Sequence, residues 1–177
     1  VSLISYILAF VLAIVAPGRY NPVMERPVVN IPAAERQENW GKGSCVWATM
    51  VSLLKWEGNE QLAATVRESC SGGASINDVS AKFDRLGIPY AYSTGNDVAF
   101  LEWSLRTRRG VGVVVPGRRG LHFIALVGLS SKTATLLDNN SVENLIEMPR
   151  EEFLSTWKKA GGWAIAVVYS PPAPLLK

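Results

Sequence analysis

Apolar positions change their period partway along the chain, and the change divides it into a helical part and a stranded part. Over 45–57, Val46, Met50, Val51, Leu53 and Leu54 recur at helical spacing, with Gly58 as the stop. The segment 60–67 predicts a second helix with Asn59 as its cap. A third spans 76–86, with Ser75 at the N-cap, Asp78 three residues on and Gly87 closing it. A short strand over 88–93 precedes a fourth helix, capped by Asn96 and running to Arg106. Beyond it, the runs 111–115, 121–129, 133–137, 144–148 and 163–169 are rich in β-branched and apolar residues, with turn chemistry at Pro116-Gly117 and Asn139-Asn140 between them. One helix interrupts these strands, over 150–159; Pro149 opens it, acidic residues lead it, lysines end it and Gly161-Gly162 closes it. Helices first and an antiparallel sheet second make an α+β domain.

Two segments precede that domain. Residues 1–16 are uncharged and apolar, and Pro17-Gly18 stops them. As a helix they reach about 24 Å, slightly short of a hydrocarbon core of about 30 Å. A signal peptide has a similar length, but Pro17 is a poor residue beside a cleavage point after Ala16. The expectation is a retained anchor over 1–18, a single pass whose partner is membrane lipid. Arg19 and Arg26 follow the run, so the positive-inside tendency places the domain on the cytoplasmic side. Pro22, Pro27 and Pro32 exclude a helix over 19–36, which reads as an extended tether whose 28–31 segment adds an edge strand or lies on the domain. The folded domain is expected over 37–170 and a proline-rich tail over 171–177.

Composition narrows the chemistry. With 177 residues, 48% of them hydrophobic, the chain can build one core without disulfide staples. Its two cysteines, Cys45 and Cys70, read as free thiols. Two cysteines and one histidine are a poor basis for a zinc site, so neither a metal nor an organic cofactor is expected. Net charge is +3, but the arginines gather only in two short clusters, Arg106, Arg108 and Arg109 at a helix end and Arg118-Arg119 at a hairpin turn. Both read as solvated, and no aromatic-interleaved basic motif points to nucleic acid.

The candidate chemistry lies in three residues. Cys45 follows the loop Gly41-Lys42-Gly43-Ser44 and falls in the first turn of an apolar helix. Unpaired N–H groups and the positive end of the helix dipole favour a thiolate there, although a buried structural cysteine is the plainer reading of such a position. His122 is the sole histidine, and it opens the strand that follows the Pro116-Gly117 turn. After the turn at Ser130-Ser131-Lys132, the next strand ends at Asp138, which an antiparallel pairing brings beside His122. A polar acceptor there would fix the tautomer of the imidazole and aim it.

Ser44-Cys45-x-Trp47-Ala48 at a helix head, the Leu121-His122-Phe123-Ile124-Ala125-Leu126-Val127-Gly128 strand and the later Asp138 resemble the papain-like cysteine peptidases, in particular their small bacteriocin-processing, C39-like branch. The resemblance covers roughly 37–169. It implies a papain-like fold, with N-terminal helices packed on a C-terminal antiparallel sheet. Cys45 would be the nucleophile, His122 the general base and acid, and Asp138 the orienting residue, with Asn139 and Asn140 in reserve. Such enzymes carry an upstream Gln whose amide binds the oxyanion. The family spacing lands on Asn39, while the nearby glutamine is Gln37, and both stand as candidates. The sequence also has Lys42 where papains place a disulfide cysteine. The expected function is a membrane-anchored cysteine peptidase acting on a peptide or protein. Two other functions suit the same residues: a catalytically inactive module serving as an accessory subunit of a membrane-protein complex, and a transamidase or acyltransferase in which an amine replaces water.

Overall fold

The first helix, α1 (Cys45–Trp56), is buried on almost every side, because its apolar residues are not confined to one stripe. It packs against the central strands and the next helix, α2 (Glu60–Ser69). Helix α3 (Ile76–Leu86) is amphipathic instead, burying Val79 and Phe83. Its ends follow the sequence: Ser75 Oγ accepts from Asp78 N, the Asp78 carboxylate accepts from Ser75 N, and Gly87 closes the helix at φ 64°. Then come β1 (Tyr90–Ser93), α4 (Val98–Arg106), β2 (Val111–Gly117), β3 (Gly120–Leu129), β4 (Thr133–Leu137), β5 (Leu145–Pro149), α5 (Arg150–Lys159) and β6 (Ala164–Val167). The strands form one antiparallel sheet in the order β1-β6-β2-β3-β4-β5. This computed structural model describes residues 29–41, 43–118 and 120–169.

The core lies between α1 and the middle of the sheet. Gly112 on β2 leaves room for this packing, since a Cβ there would overlap both the Phe123 ring and the end of Met50. Leu53, Leu54, Phe83, Phe123, Phe153 and Trp157 are all inaccessible or nearly so. Burying a large apolar side chain of this kind contributes about 1.5–3 kcal/mol. Helix α5 packs on β2, β4 and β5, and Trp157 Nε1 donates to Trp163 O at 2.9 Å.

Several local expectations change. Asn59 stands at the start of α2, but its side chain donates to Glu57 O and caps nothing. The cap of α4 is Asp97, whose carboxylate accepts from Phe100 N at 3.2 Å; Asn96, one residue earlier, is at φ 69°. Pro116 and Gly117 belong to β2, opposite Leu121 and Gly120, so the hairpin turns later than their chemistry implies. The end of the tether docks on the domain: Val29 and Ile31 are buried, and Val29 N donates to Val127 O at 3.1 Å. These apolar side chains on either side of Asn30 enter the core without joining the sheet. Arg36 then donates to Val142 O and Glu143 O.

The anchor expected over 1–18 and the tail over 171–177 lie outside the described residues. Among the described residues no helix is long and apolar enough to cross a membrane.

Candidate active site

An open cleft of about 1160 Å³ runs along the N-terminal end of α1, between the 39–45 loop and the β2–β3 hairpin. Cys45, His122 and Asp138 line it together with Asn39 and Asn140. Cys45 arrives there because the preceding loop is pinned. Gly43 takes φ 83°, a backbone region that favours glycine, and a Cβ on it would lie 2.7 Å from Gly73 N. Ser44 is buried, and its hydroxyl accepts from Gly72 N at 3.2 Å rather than from the helix it precedes. The first turn of α1 therefore keeps its N–H groups uncapped by Ser44, and the thiol of Cys45 stands among them.

His122 opens the inner part of β3, and the β3–β4 pairing brings Asp138, just past β4, to its side. His122 Nε2 and Asp138 Oδ1 are 2.7 Å apart, with both side chains mostly buried. The short contact to a carboxylate places a proton on Nε2, leaving Nδ1 for the thiol. Asn140 closes the same corner. Its backbone N donates to Asp138 Oδ1 at 2.9 Å, and its side-chain Nδ2 lies 3.1 Å from His122 Nε2.

The electrostatics favour charge separation. Burial pushes the Cys45 thiol up. A hydrogen bond from His122, the N–H of Phe123, the imidazolium charge and the N–H of Val46 outweigh it, and the net shift is downward. Burial likewise opposes a charged His122, but hydrogen bonds with Asp138 and Cys45 and the charges of both raise it to about 9. Asp138 is held below the usual carboxylate range by its bond to His122 against the cost of burial, with help from Asn140 N and the imidazolium charge. These directions agree with one another, each favouring the charged form of its group over the neutral one.

The two oxyanion candidates separate. Asn39 lines the cleft, its backbone N held by Asn139 O at 2.8 Å and its Nδ2 lying 3.2 Å from Asn140 Oδ1. Gln37 is absent from the cleft lining; its Nε2 donates to the neighbouring Glu38 O. The two reserve residues separate as well, with Asn140 beside the imidazole and the Asn139 side chain turned inward toward α1.

Some of the neighbourhood had no sequence signal strong enough to nominate it. Thr49 is a hydroxyl four residues after Cys45 in a mostly apolar helix, and it donates to Phe123 O at 3.1 Å. The hairpin supplies an apolar wall of Val115, Pro116, Leu121 and Ile124, with Arg118 at its tip. Leu121 is 69% exposed beside His122. Both cysteines are free thiols, and Cys70 is buried away from the cleft. Among the described residues no three His, Cys, Asp or Glu side chains converge as metal ligands.

No protein-family model matches the sequence and no curated protein is similar to it. Solved structures are similar in fold. A protein described as a C39-like peptidase from Bacillus anthracis superposes with a TM-score of 0.63 over 81% of this chain and 96% of its own, at 13% identity. The chain has the C39-like peptidase fold. The peptidase domain of Streptococcus ComA, a bifunctional ABC transporter of a quorum-sensing pathway, gives 0.58 over 76% of this chain and 98% of its own, at 20% identity. A double-glycine-motif protease from an AMS/PCAT transporter, solved with its leader peptide, gives 0.55 over 82% and 96%, at 17% identity. The likeness to C39-like peptidases read from the sequence thus holds at the level of fold, and the α+β layout with its antiparallel sheet holds with it.

Proposed function

We propose that this domain is a cysteine peptidase that hydrolyses a peptide bond in an extended peptide or protein segment laid along the cleft. The observation that carries the reading is the His122–Asp138 pair, 2.7 Å apart, which shares one cleft with the Cys45 thiol, with the thiol shifted down and the imidazole shifted up. The Cys45 thiolate attacks the scissile carbonyl carbon, and the carbonyl oxygen becomes an oxyanion facing Asn39 Nδ2 and the backbone N–H of Cys45. His122 then gives its Nδ1 proton to the leaving amine nitrogen, the C–N bond breaks and a thioester remains. A water molecule, deprotonated by the same nitrogen, attacks the thioester and releases the carboxylic acid, which restores the thiolate and the imidazolium. Asp138 keeps the second ring proton on Nε2 throughout, so that the imidazole neither rotates nor changes tautomer.

The leader peptide held by the AMS/PCAT protease supports a peptide as the ligand class here. The apolar run over 1–16 supports a membrane tether, with Arg19 and Arg26 favouring a cytoplasmic domain. Fractionation of the full chain and protease accessibility of the domain test that placement.

The decisive experiment for the chemistry is the rate of iodoacetamide modification of Cys45 against pH, beside His122→Ala. An unperturbed thiol titrates near about 8.5, and a His-paired one far lower. Rapid alkylation at pH 5–6 that His122→Ala abolishes, with peptide hydrolysis lost in Cys45→Ala, is the expected result. An ordinary thiol profile in the intact protein would overturn the peptidase reading and leave the inactive module. Amide formation with an added amine in place of hydrolysis would assign the triad to a transamidase.

A further inference from the structure

We propose that Asn139 is the positioning residue of this site: its side-chain amide clamps the nucleophile turn of α1 to the strand that carries His122, and its backbone holds the Asn39 segment against both. The proposal rests on the peptidase reading and gives Asn139 a task different from orienting the imidazole, which its side chain does not touch.

Asn139 is 3% exposed. Its Nδ2 stands 3.0 Å from Cys45 O, 3.0 Å from Thr49 Oγ1 and 2.7 Å from Phe123 O. Two of these acceptors belong to the residue that bears the thiol and to the residue after His122. Thr49 adds its own bond to Phe123 O, so α1 and β3 are tied twice at the same point. On the other side, Asn139 O accepts from Asn39 N. One residue thus touches the segments bearing the nucleophile, the base and the oxyanion donor, and it directly follows Asp138.

Two further features show that the amide is held for its donor end. Turning it over would set Oδ1 against the carbonyl oxygens of Cys45 and Phe123, which have no proton to give. In the observed orientation Oδ1 is buried and lacks a hydrogen-bond partner among the described residues. A buried acceptor without a partner is costly. Leucine, with the same branched skeleton but two methyl groups in place of the amide atoms, would avoid that cost, and it would lose every tie to α1 and β3. Aspartate would present acceptors to acceptors.

The alkylation profile of Cys45 tests the clamp in the full chain, read beside thermal stability. Asn139→Leu should move the thiol toward ordinary behaviour, lowering the alkylation rate at pH 6 by about tenfold, the effect of one pH unit on the thiolate fraction. Val79→Ala, a core truncation in α3 away from the cleft, controls for lost stability and should keep the wild-type profile. Thr49→Val removes one of the two ties while leaving Asn139 in place, and it should shift the profile in the same direction by less; it serves alone if Asn139→Leu does not fold. A wild-type profile in Asn139→Leu, or in Thr49→Val where that variant stands alone, overturns the clamp while the peptidase reading survives. An ordinary thiol in the wild-type protein overturns both.

Discussion

The two ends of α1 bury ionisable groups in opposite ways. At the N-terminal end Cys45 has uncapped N–H groups, an imidazole with a carboxylate behind it, and a cleft in front. At the C-terminal end Glu57 is 9% exposed, and neither carboxylate oxygen has a hydrogen-bond partner among the described residues. Arg109 is close enough to pull its titration down, yet its Nη2 is given to Tyr169 O at 2.8 Å and its Nε has no partner among the described residues. Burial therefore prevails and lifts the Glu57 carboxyl to about 7, whereas at Cys45 hydrogen bonds prevail and the thiol goes down. The helix dipole works in the same sense at both ends, favouring an anion at the first and opposing one at the second. Depth of burial does not by itself set the direction in which a group shifts. The supply of donors does.

Removing a donor without touching the thiol gives the largest expected effect. Asn39→Ala should lower kcat for peptide hydrolysis about a hundred- to a thousandfold while the alkylation profile of Cys45 stays as it was. Gln37→Ala should leave both near wild type. Turnover of the two variants on one peptide substrate decides between them, and a large loss in Gln37→Ala with none in Asn39→Ala would move the oxyanion donor to Gln37.

Asp138→Asn probes the carboxylate behind the pair. It retains shape but not charge, so the His122 imidazole should fall from about 9 toward the ordinary value near 6.5. With a single histidine in the sequence, NMR titration of the ring gives one unambiguous curve. A curve unchanged by the substitution would leave Asn140, 3.1 Å from Nε2, as the orienting group.

These residues also show how far the sequence could be read. The order of helices and strands was legible because the hydrophobic period changes cleanly and because Ser75, Asp78, Gly87 and Pro149 act locally. Cys45, His122 and Asp138 could be nominated because the histidine is unique and an antiparallel pairing dictates its neighbour. Asn39 could not be chosen over Gln37, since that depends on which side of the loop the chain presents. Nor could the turn after β4, which sends Asn139 inward and Asn140 toward the imidazole. Arg109 read as solvated because charged residues at helix ends usually are, whereas in the structure it is buried, lies 6.0 Å from the Trp103 ring and donates to Tyr169 O. The 28–31 segment could be read as lying on the domain or adding an edge strand, but not as burying Val29 and Ile31 in the core, since two apolar residues are too few for a period.

The smallest expected effect is at the other end of the helix. Glu57 has a folded-state pKa of about 7 against an ordinary value of 4.5. A raised carboxyl binds its proton more tightly in the folded protein than in the unfolded chain, so folding stability is greatest when Glu57 is protonated. Raising the pH through the window from about 4.5 to about 7 should therefore cost stability, by no more than about 3 kcal/mol. Glu57→Gln retains the shape and removes the titration. Its denaturant midpoint should change less with pH across that window than the wild-type midpoint does, and above pH 7 the variant should be the more stable of the two. Peptide hydrolysis should be unaltered, because no described contact joins Glu57 to the cleft. A wild-type midpoint that rises with pH over the window, with Glu57→Gln lagging behind it, would mean that Arg109 rather than burial governs this carboxylate, and the contrast between the two ends of α1 would disappear.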